Sequence, residues 1–413
     1  MADYDVVIAG GGLVGASLAC ALDGTGVRAA VIEPVAPGAA AQPSFDDRQT
    51  ALAPTTRRFF EALGLWRSLS REAAAIREIH VSERGGFGFV RLHASDEGLE
   101  ALGYVVPNRA LGAALQPALA AADGVDCFCP AQVDGVEADA DGVVVSLTGD
   151  EVTERLRARL LVVADGARSA TREALGIGLQ ERPYGQSAVI ANVTPERHHA
   201  GRAFERFTRD GPLALLPGTQ GRCAVVWTVS SDDADSVAGL DDRAFLAGLQ
   251  QRFGYRLGRF LQVGKRGVYP LAALTAERFT DRRVAVIGNA AHTLHPVAGQ
   301  GFNLAVRDVA VLAELVAEAV AASADPGAQA LLDRYQKLRS GDYRRTMGFT
   351  DTLVRVFSND LPGLRSLRNA GLLALDLMPV GKHALLRQAM GRAGWLPRLA
   401  RGVPLTPAAG GDA

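Results

Sequence analysis

YDVVIAGGGLVG, residues 4–15, decides the fold of this chain. Its first six residues form an apolar, β-branched run typical of a buried parallel strand, and a helical pattern of apolar residues follows the glycines. Residues 27–32 (VRAAVI) predict a second strand that ends at Glu33. A strand, a glycine turn, a helix and a second strand in this order predict a βαβ unit of a nucleotide-binding fold.

The glycines of the turn are spaced as Gly10-x-Gly12-x-x-Gly15. Glycine permits the tight turn, the approach of a pyrophosphate to backbone N–H groups, and close packing of a helix whose N-terminus is partly positive. Glu33 can accept hydrogen bonds from a ribose diol and disfavours a ribose 2′-phosphate. The spacing alone is a weak motif, and a simple tight turn is the alternative, but the order of the elements predicts a dinucleotide site.

Composition excludes several classes of protein. The 413 residues carry a net charge of −1, which gives no general attraction to nucleic acid, so we expect no nucleic-acid partner. Four scattered cysteines without a C-x-x-C pair argue against a disulfide framework or a zinc ribbon. No signal peptide and no run of 18 apolar residues is found. We expect a cytoplasmic protein, with any membrane contact peripheral at the inner membrane face.

Two further segments bear on the site. Asp165 begins an Asp-Gly turn after the apolar run 160–164, which by itself is an ordinary turn. In GNAAHTLHPVAGQGFNLAVRDV, residues 288–309, the pair His292 and His295 suggests a metal site, but no Glu follows His292 and Pro296 breaks a helix there, so we predict no metal. The later glycines can instead place N–H groups against a flat ligand, and a helix starting near residue 301 directs its positive end there.

These three segments together resemble the flavin-dependent aromatic hydroxylases of the para-hydroxybenzoate hydroxylase fold, and within them the ubiquinone-biosynthesis hydroxylases. The finer segments DRQTAL (47–52), PYGQ (183–186), ERFT (205–208) and GPLALLP (211–217) are similar to the branch of 2-octaprenyl-6-methoxyphenol hydroxylase. The resemblance covers residues 4 to about 340.

The resemblance implies FAD as the cofactor and NAD(P)H as the reductant, and it assigns roles to named residues. Pro296 would lie by the flavin with its carbonyl toward the substrate, and His295, beside it, is the second catalytic candidate, although a structural role suits it equally. The implied cofactor contacts are the pyrophosphate turn (Gly10, Gly12, Gly15), the adenosine ribose (Glu33), the pyrophosphate and ribityl chain (Arg48, Arg109), the nucleotide end (Asp165) and the flavin ring (Gly299, Gln300, Gly301, Asn303). Asn289 stands where the broader family has Asp, as in the ubiquinone branch, and keeps an acceptor for a ribityl or phosphate contact without the charge.

The predicted fold class is α/β: a Rossmann-like FAD-binding domain with an inserted antiparallel β-sheet substrate domain and a C-terminal helical segment. We expect the chain to alternate between the two domains before its helical end. The predicted ranges are 1–75, 107–180 and 271–340 for the FAD-binding domain, 76–106 and 181–270 for the substrate domain, and 341–413 for the helical region.

The implied activity is hydroxylation of the ring of a polyprenylated phenol, with NAD(P)H and O2, through a flavin C4a-hydroperoxide. A phenol needs a base for this reaction, and no base can be identified from the sequence. The basic, leucine-rich residues 361–402 suit either a membrane surface or packing on the chain or on partner subunits of a biosynthetic complex. Alternative functions are a flavin-dependent reductase of a prenyl lipid and a non-catalytic flavin-binding assembly factor.

Overall fold

A computed structural model of the chain describes residues 2–36, 46, 48–149, 153–357, 364–392 and 394–406. The strands are β1 (Tyr4–Ala9), β2 (Ala29–Ile32), β3 (Gln49–Leu52), β4 (Ala74–Ile76), β5 (Glu78–Glu83), β6 (Phe89–His93), β7 (Gly103–Pro107), β8 (Val125–Phe128), β9 (Ala131–Ala138), β10 (Val143–Gly149), β11 (Thr153–Val163), β12 (Leu179–Pro195), β13 (Arg202–Thr208), β14 (Gly211–Pro217), β15 (Cys223–Ser230), β16 (Phe260–Val263), β17 (Gly267–Ala276), β18 (Thr280–Asp281), β19 (Val284–Val286) and β20 (His292–Thr293). The helices are α1 (Leu13–Leu22), α2 (Pro54–Ala62), α3 (Trp66–Leu69), α4 (Asn108–Ala120), α5 (Ala170–Ala174), α6 (Ala234–Ala238), α7 (Asp242–Phe253), α8 (Gly301–Ala321), α9 (Gln329–Phe357), α10 (Leu364–Leu377) and α11 (Pro379–Ala389).

The first sheet has a parallel centre in the order β19-β11-β1-β2-β8. Its central strands are buried on both faces, which explains why they are almost purely apolar. Helices α1, α4 and α8 pack on one face, and the antiparallel strands β9 and β10 extend the sheet from β11. Because the carboxyl ends of parallel strands share one edge, the turns after β1, β2, β11 and β19 meet at that edge.

The second sheet runs in the order β20-β17-β12-β15-β14-β13-β5-β6. Its neighbours are antiparallel except β13 and β5, which are parallel. Helix α7 covers part of one face by packing Phe245 and Leu249 against Trp227. Strand β7 pairs with β3 and β4 in a separate small sheet, and β12 and β17 run across the boundaries predicted at residues 180 and 270. The predicted fold class is confirmed.

The C-terminal helices lie on the β5–β6 side of the second sheet. Leu372 of α10 and Leu386 and Met390 of the α11 end are buried against Val90 and Leu92 of β6. The sequence of residues 361–402 suits either a membrane surface or packing on protein. The structure shows that apolar side chains of this segment pack on the chain's own second sheet. Within the described ranges, no helix is both long and apolar enough to cross a membrane.

A buried network of charges joins α8 to α9. Asp308 of α8 accepts hydrogen bonds from Arg339 Nε at 2.8 Å and from Tyr343 Oη at 2.8 Å. Arg307 Nε donates to Asp342 Oδ2 at 2.7 Å, and Arg339 Nη1 contacts the same oxygen at 2.5 Å. Two arginines and two aspartates balance in charge, which lets them remain ionised away from water.

Candidate active site

The glycine turn after β1 is packed so tightly at Gly10 and Gly15 that only glycine fits at these two positions. Gly10 has φ +103°, in the left-handed region, and a Cβ there would lie 2.7 Å from the carbonyl oxygen of Ala164. A Cβ on Gly15 would lie 1.8 Å from the carbonyl oxygen of Gly10. Gly12 precedes α1, whose N-terminus has no side-chain cap. The backbone N–H groups at the uncapped start of α1 can therefore bind an anionic group.

Glu33 is fixed beside the turn. Its Oε2 accepts a hydrogen bond from Gly11 N at 2.7 Å, and its Oε1 accepts one from Val35 N at 2.9 Å. Each carboxylate oxygen has a second lone pair. The structure thus holds an oriented acceptor at the end of β2, beside the glycines, where the predicted ribose contact requires one.

Asp165 lies on the other side of the same turn. A Cβ on Gly10 would lie 2.8 Å from its Cα. Its Oδ2 accepts a hydrogen bond from Thr171 N at 3.2 Å, whereas its Oδ1 is buried without a partner among the described residues. A buried carboxylate oxygen without a donor is costly, so this atom indicates a polar group of a ligand.

The two predicted arginines meet at Asp46. Arg48 Nε contacts Asp46 Oδ2 at 2.5 Å, and the Arg48 guanidinium lies 5.0 Å from the centre of the Tyr269 ring. The backbone N–H of Arg109 donates to Asp46 O at 2.9 Å, while the Arg109 guanidinium pairs with Glu72 at 2.5 Å. Both cations are thus held by carboxylates. Asp47 of the DRQTAL segment lies outside the described residues.

The loop after β19 reaches the first turn of α1. Gly288 has φ +62°, and a Cβ there would lie 3.0 Å from Val14 Cγ1. Asn289 follows with its side chain exposed. Two segments nearly 280 residues apart, the glycine turn and this loop, are therefore neighbours.

The next part of the loop leads into α8. The carbonyl of Pro296, expected to face the substrate, accepts a hydrogen bond from Gly299 N at 2.9 Å. Gly299 has φ +59°, and a Cβ added to it would lie 3.1 Å from Ala51 Cβ. Gln300 is buried and donates from Nε2 to Ala389 O at 3.0 Å, and α8 begins at Gly301. The loop thereby contacts both β3 and the end of α11.

Asn303 fastens this loop to the start of α2. Its Oδ1 accepts hydrogen bonds from Ala53 N and Thr56 Oγ1, both at 2.7 Å. Its Nδ2 donates to Ala51 O and Gly299 O, both at 2.8 Å. All four hydrogen-bonding positions of the amide are used within the chain. The side chain therefore positions the loop, and the ring contact expected of it would have to come through the loop backbone.

The two histidines of the loop differ in their surroundings. His292 is fully buried and its Nε2 lies 2.9 Å from Asp308 Oδ2, which makes it part of the α8–α9 charge network. His295 is also buried; its Nδ1 accepts from Val297 N at 3.2 Å and its ring packs edge-on against Tyr184 at 5.0 Å. Burial lowers the pKa of His295 to about 4, so it is neutral at pH 7. Among the described residues, no cluster of three or more His, Cys, Asp or Glu side chains could hold a metal ion.

A largely apolar cavity of about 540 Å³ lies between the loop, the second sheet and the C-terminal helices. The loop contributes Val297, Gly299 and Gln300 to its wall, and the first turn of α8 contributes Asn303. Among the described residues, the charged side chains of the wall are Glu205 of β13 and Arg368 of α10. Leu367, 68% exposed, and Gly371 also line it, so the cavity opens to the surface along α10.

Helix α10 is held over this cavity by polar contacts. Arg368 Nη2 contacts Glu83 Oε1 at 2.5 Å, and Asn369 Nδ2 donates to Glu83 Oε2 at 2.6 Å. Asn369 Oδ1 accepts from Gly88 N at 2.7 Å, and a Cβ on Gly88 would lie 2.2 Å from the carbonyl oxygen of Asn369. The glycine-rich β5–β6 turn is thus the docking point of α10.

Sequence reasoning missed two parts of this site. Glu205 belongs to the quoted ERFT segment, but no pattern distinguishes it from other strand carboxylates. The wall formed by α10 and α11 comes from the segment that carried the weakest resemblance. The long-range contacts that create both are not encoded in local periodicity.

Comparisons with known proteins agree with this geometry. The family of FAD binding domains matches residues 3–350. Ubiquinone hydroxylase UbiL of Rhodospirillum rubrum is 41% identical over 404 residues, which cover 97% of this chain and 93% of that protein. The 3-demethoxyubiquinol 3-hydroxylase of Escherichia coli is 32% identical over 391 residues, covering 94% and 98%. The solved structure of p-nitrophenol 4-monooxygenase PnpA from Pseudomonas putida DLL-E4 has a TM-score of 0.78 at 21% identity, covering 95% of this chain and 99% of that one, and is a likeness of fold.

The glycine turn, the family match and these two hydroxylases define the class, which is that of the FAD-dependent monooxygenases. Within this class, the chain belongs to the family of FAD-dependent hydroxylases of ubiquinone biosynthesis. The predicted family and cofactor are confirmed, and NAD(P)H is the usual reductant of such enzymes.

The residues present fit FAD. The start of α1 offers N–H groups that no side chain caps, and Asp165 offers a buried oxygen without a donor among the described residues. Glu33 is oriented beside the turn at the end of β2, and the exposed amide of Asn289 lies after β19 at the same edge of the sheet. The contacts of the individual residues with FAD remain predictions.

Proposed function

We propose that this chain hydroxylates the aromatic ring of a polyprenylated phenol in ubiquinone biosynthesis, using FAD, O2 and NAD(P)H. The observation that carries the proposal is the cavity of about 540 Å³, whose wall is almost entirely apolar. The wall includes Val297 and Gly299 of the loop between β20 and α8, residues 294–300, which we call the flavin loop because it is the predicted contact of the flavin ring. A ring bearing a hydrocarbon tail gains from burial in such a wall. The names of two relatives, a ubiquinone hydroxylase and a 3-demethoxyubiquinol 3-hydroxylase, support the same class of substrate.

Bound FAD would supply the activation of dioxygen and the transfer of one oxygen atom to the ring. The chain's own part is to hold the cofactor and to orient the substrate. Gly10, Gly12 and Gly15 would bind the pyrophosphate, Glu33 the ribose, and the 299–301 backbone the flavin ring. Asn303 would keep that backbone in place through its four hydrogen bonds.

The opening beside Leu367 and Gly371 gives the prenyl tail a route to the surface. The nearby corner between α10 and α11 exposes Leu377, Met378 and Val380, at 72%, 56% and 80%. We include in the proposal that this corner contacts a membrane surface peripherally, which would shorten the path of a lipid substrate. Sedimentation with anionic liposomes tests the membrane contact. The substitutions Leu377→Glu and Val380→Glu should each release the protein from the liposomes. If both variants still bind, the proposed membrane contact is wrong.

The activity is tested by aerobic NAD(P)H consumption of the FAD-loaded chain, with and without a short-chain 2-polyprenylphenol. Mass spectrometry of the product should show a gain of one oxygen coupled to NAD(P)H use. Substrate reduction without oxygen uptake would favour a prenyl-lipid reductase instead. Flavin binding without substrate-stimulated NAD(P)H oxidation would favour a flavin-binding assembly factor.

A further inference from the structure

The cavity wall contains a carboxyl group that has no hydrogen-bonding partner among the described residues. Along β13, Glu205 and Phe207 face the cavity, whereas the intervening Arg206 donates from Nε to Arg252 O at 3.0 Å. The residues that pair with Glu205 in the sheet are Val81 of β5 and Ala214 of β14, and neither side chain can donate a hydrogen bond. Its Oε1 is buried and has no hydrogen bond to any described residue.

Within the described part of the cavity wall, no charge compensates this carboxyl. From α10, Arg368 faces the same cavity but is engaged with Glu83 of β5 at 2.5 Å. From α9, apolar side chains such as Phe349 line the wall, and Asp351 of that helix is paired with Arg182. Burial accordingly raises the pKa of Glu205 to about 8.

The carboxyl also lies on the side of the cavity that faces the flavin loop. Phe207, two residues along the same face of β13, packs against Val297 of the loop. Gly299 and Gln300 line the same cavity as Glu205. A phenol ring between them can direct its hydroxyl to the carboxyl and another ring edge to the loop. A buried acceptor without a donor is unfavourable in the empty chain, and a phenolic O–H would satisfy it.

We propose that Glu205 is the catalytic base, whose carboxylate accepts the proton of the substrate's phenolic hydroxyl. The phenolic O–H bond breaks, its electron pair stays on the phenol oxygen, and the proton bonds to a carboxylate oxygen of Glu205. Nothing is oxidised or reduced in this step. The resulting electron-rich ring is the form that accepts an electrophilic oxygen atom. The inference rests on the proposed function and adds its proton acceptor.

A raised pKa suits this role. A base works best when its pKa is near the working pH, because the deprotonated form is then populated and still basic enough to take a proton. An ordinary exposed glutamate, with a pKa of 4.5, is far too weak a base for a phenol. Burial without a hydrogen-bonding partner among the described residues therefore strengthens the carboxylate as a base.

The experiment measures the pH dependence of kcat/KM for hydroxylation by the FAD-loaded chain and its variants. The unchanged chain should gain activity as pH rises through about 8. Glu205→Gln keeps the shape and an acceptor oxygen but cannot take the proton, so it should lose that rise and about 10²-fold or more in kcat with little change in KM. Glu205→Asp should restore part of the activity together with a pH-dependent rise. The control is Glu181→Gln on β12, whose side chain is exposed and does not line the cavity.

Each outcome supports or overturns the proposed role of Glu205 as the base. A rise with pH that persists unchanged in Glu205→Gln overturns it while leaving the hydroxylase intact. If neither the unchanged chain nor any variant forms product, binding of the phenol is compared with that of its methyl ether, by quenching of protein fluorescence. A preference for the phenol that disappears in Glu205→Met supports the contact, because only the phenol can donate to the carboxylate. Equal binding of phenol and ether overturns it.

Discussion

Replacing Gly15 with alanine tests the dependence of cofactor binding on the contact between α1 and the glycine turn. The added Cβ would lie 1.8 Å from the carbonyl oxygen of Gly10. Both groups are constrained, because the carbonyl belongs to a turn at φ +103° and the Cβ would belong to a buried helix. Neither a side-chain rotation nor a flexible loop can relieve this contact, so α1 must move away from the turn.

The size of the effect follows from that movement. A carbon and an oxygen atom in contact need more than about 3 Å, so α1 must shift by roughly 1 Å or more, which in a packed core costs about 1–3 kcal/mol. The shift also withdraws the helix N-terminus and its N–H groups from the predicted pyrophosphate site. Loss of one charge-assisted hydrogen bond there costs about 1.5–3 kcal/mol, which corresponds to a decrease in FAD affinity of about 10- to 100-fold.

FAD affinity is measured by fluorescence titration of the apoprotein, and stability by urea unfolding without FAD. The control is Gly348→Ala, since Gly348 lies exposed on α9 with nothing within 4 Å of an added Cβ. That variant should bind FAD normally and be as stable or more stable, because alanine favours a helix over glycine by up to about 1 kcal/mol. FAD affinity of Gly15→Ala within about twofold of the unchanged chain, a difference of about 0.4 kcal/mol, would refute the reasoning.

Three other substitutions follow from the structure. Burial raises the pKa of Asp342, but Arg307 and Arg339 outweigh burial and lower that pKa to about 2. The stability that Asp342 contributes is therefore present above pH 3.8 and is lost as pH falls toward 2. Asp342→Asn should lower the free energy of unfolding in urea at pH 7 by about 3–5 kcal/mol, and a loss below about 1 kcal/mol would contradict a stabilising ion pair. Burial lowers the pKa of His295 to about 4, so between pH 6.5 and 4 the unfolded chain binds a proton at this residue that the folded chain excludes. The free energy of unfolding should therefore decrease as pH falls over this range and then level off. If His295→Gln shows the same slope of unfolding free energy against pH, the prediction is wrong. Gly371→Leu at the cavity mouth should raise KM for a long-tailed phenol about tenfold, a loss of about 1.4 kcal/mol, but should leave KM for a tail-free phenol unchanged. The control is Gly348→Leu. Equal effects on both phenols would argue against a route for the tail at this position.

The sequence predicts the nucleotide-binding half of the molecule well because its cause is local. The apolar run of β1, the spacing from Gly10 to Gly15 and the acid Glu33 are constrained by neighbouring residues, and the structure brings them together as the pattern implies. The start of α8 at Gly301 is confirmed for the same reason, since the glycines end one element and the apolar periodicity begins the next.

The substrate half is less accessible to such reasoning because it is made by distant segments. Glu205 becomes special only when the helices α9 and α10 close over β13 and leave it without a donor among the described residues. Asn303 shows the opposite case: the motif suggests a ligand contact, but the amide is consumed by Ala51, Ala53 and Thr56 far upstream. A local pattern cannot tell a side chain that binds a ligand from one that holds the loop binding it.

The C-terminal helices form part of the wall of the proposed substrate cavity. Gln300, the loop residue immediately before α8, donates to Ala389 O at the end of α11, and Arg307 of α8 donates to Asp342 of α9. Because α8 begins in the same loop, a movement of α9 or α11 is transmitted to the backbone that would bind the flavin ring. Removal of everything after Arg339 would thus open the cavity and loosen the cofactor loop together, so point substitutions on the exposed corner at Leu377 separate membrane contact from catalysis where truncation cannot.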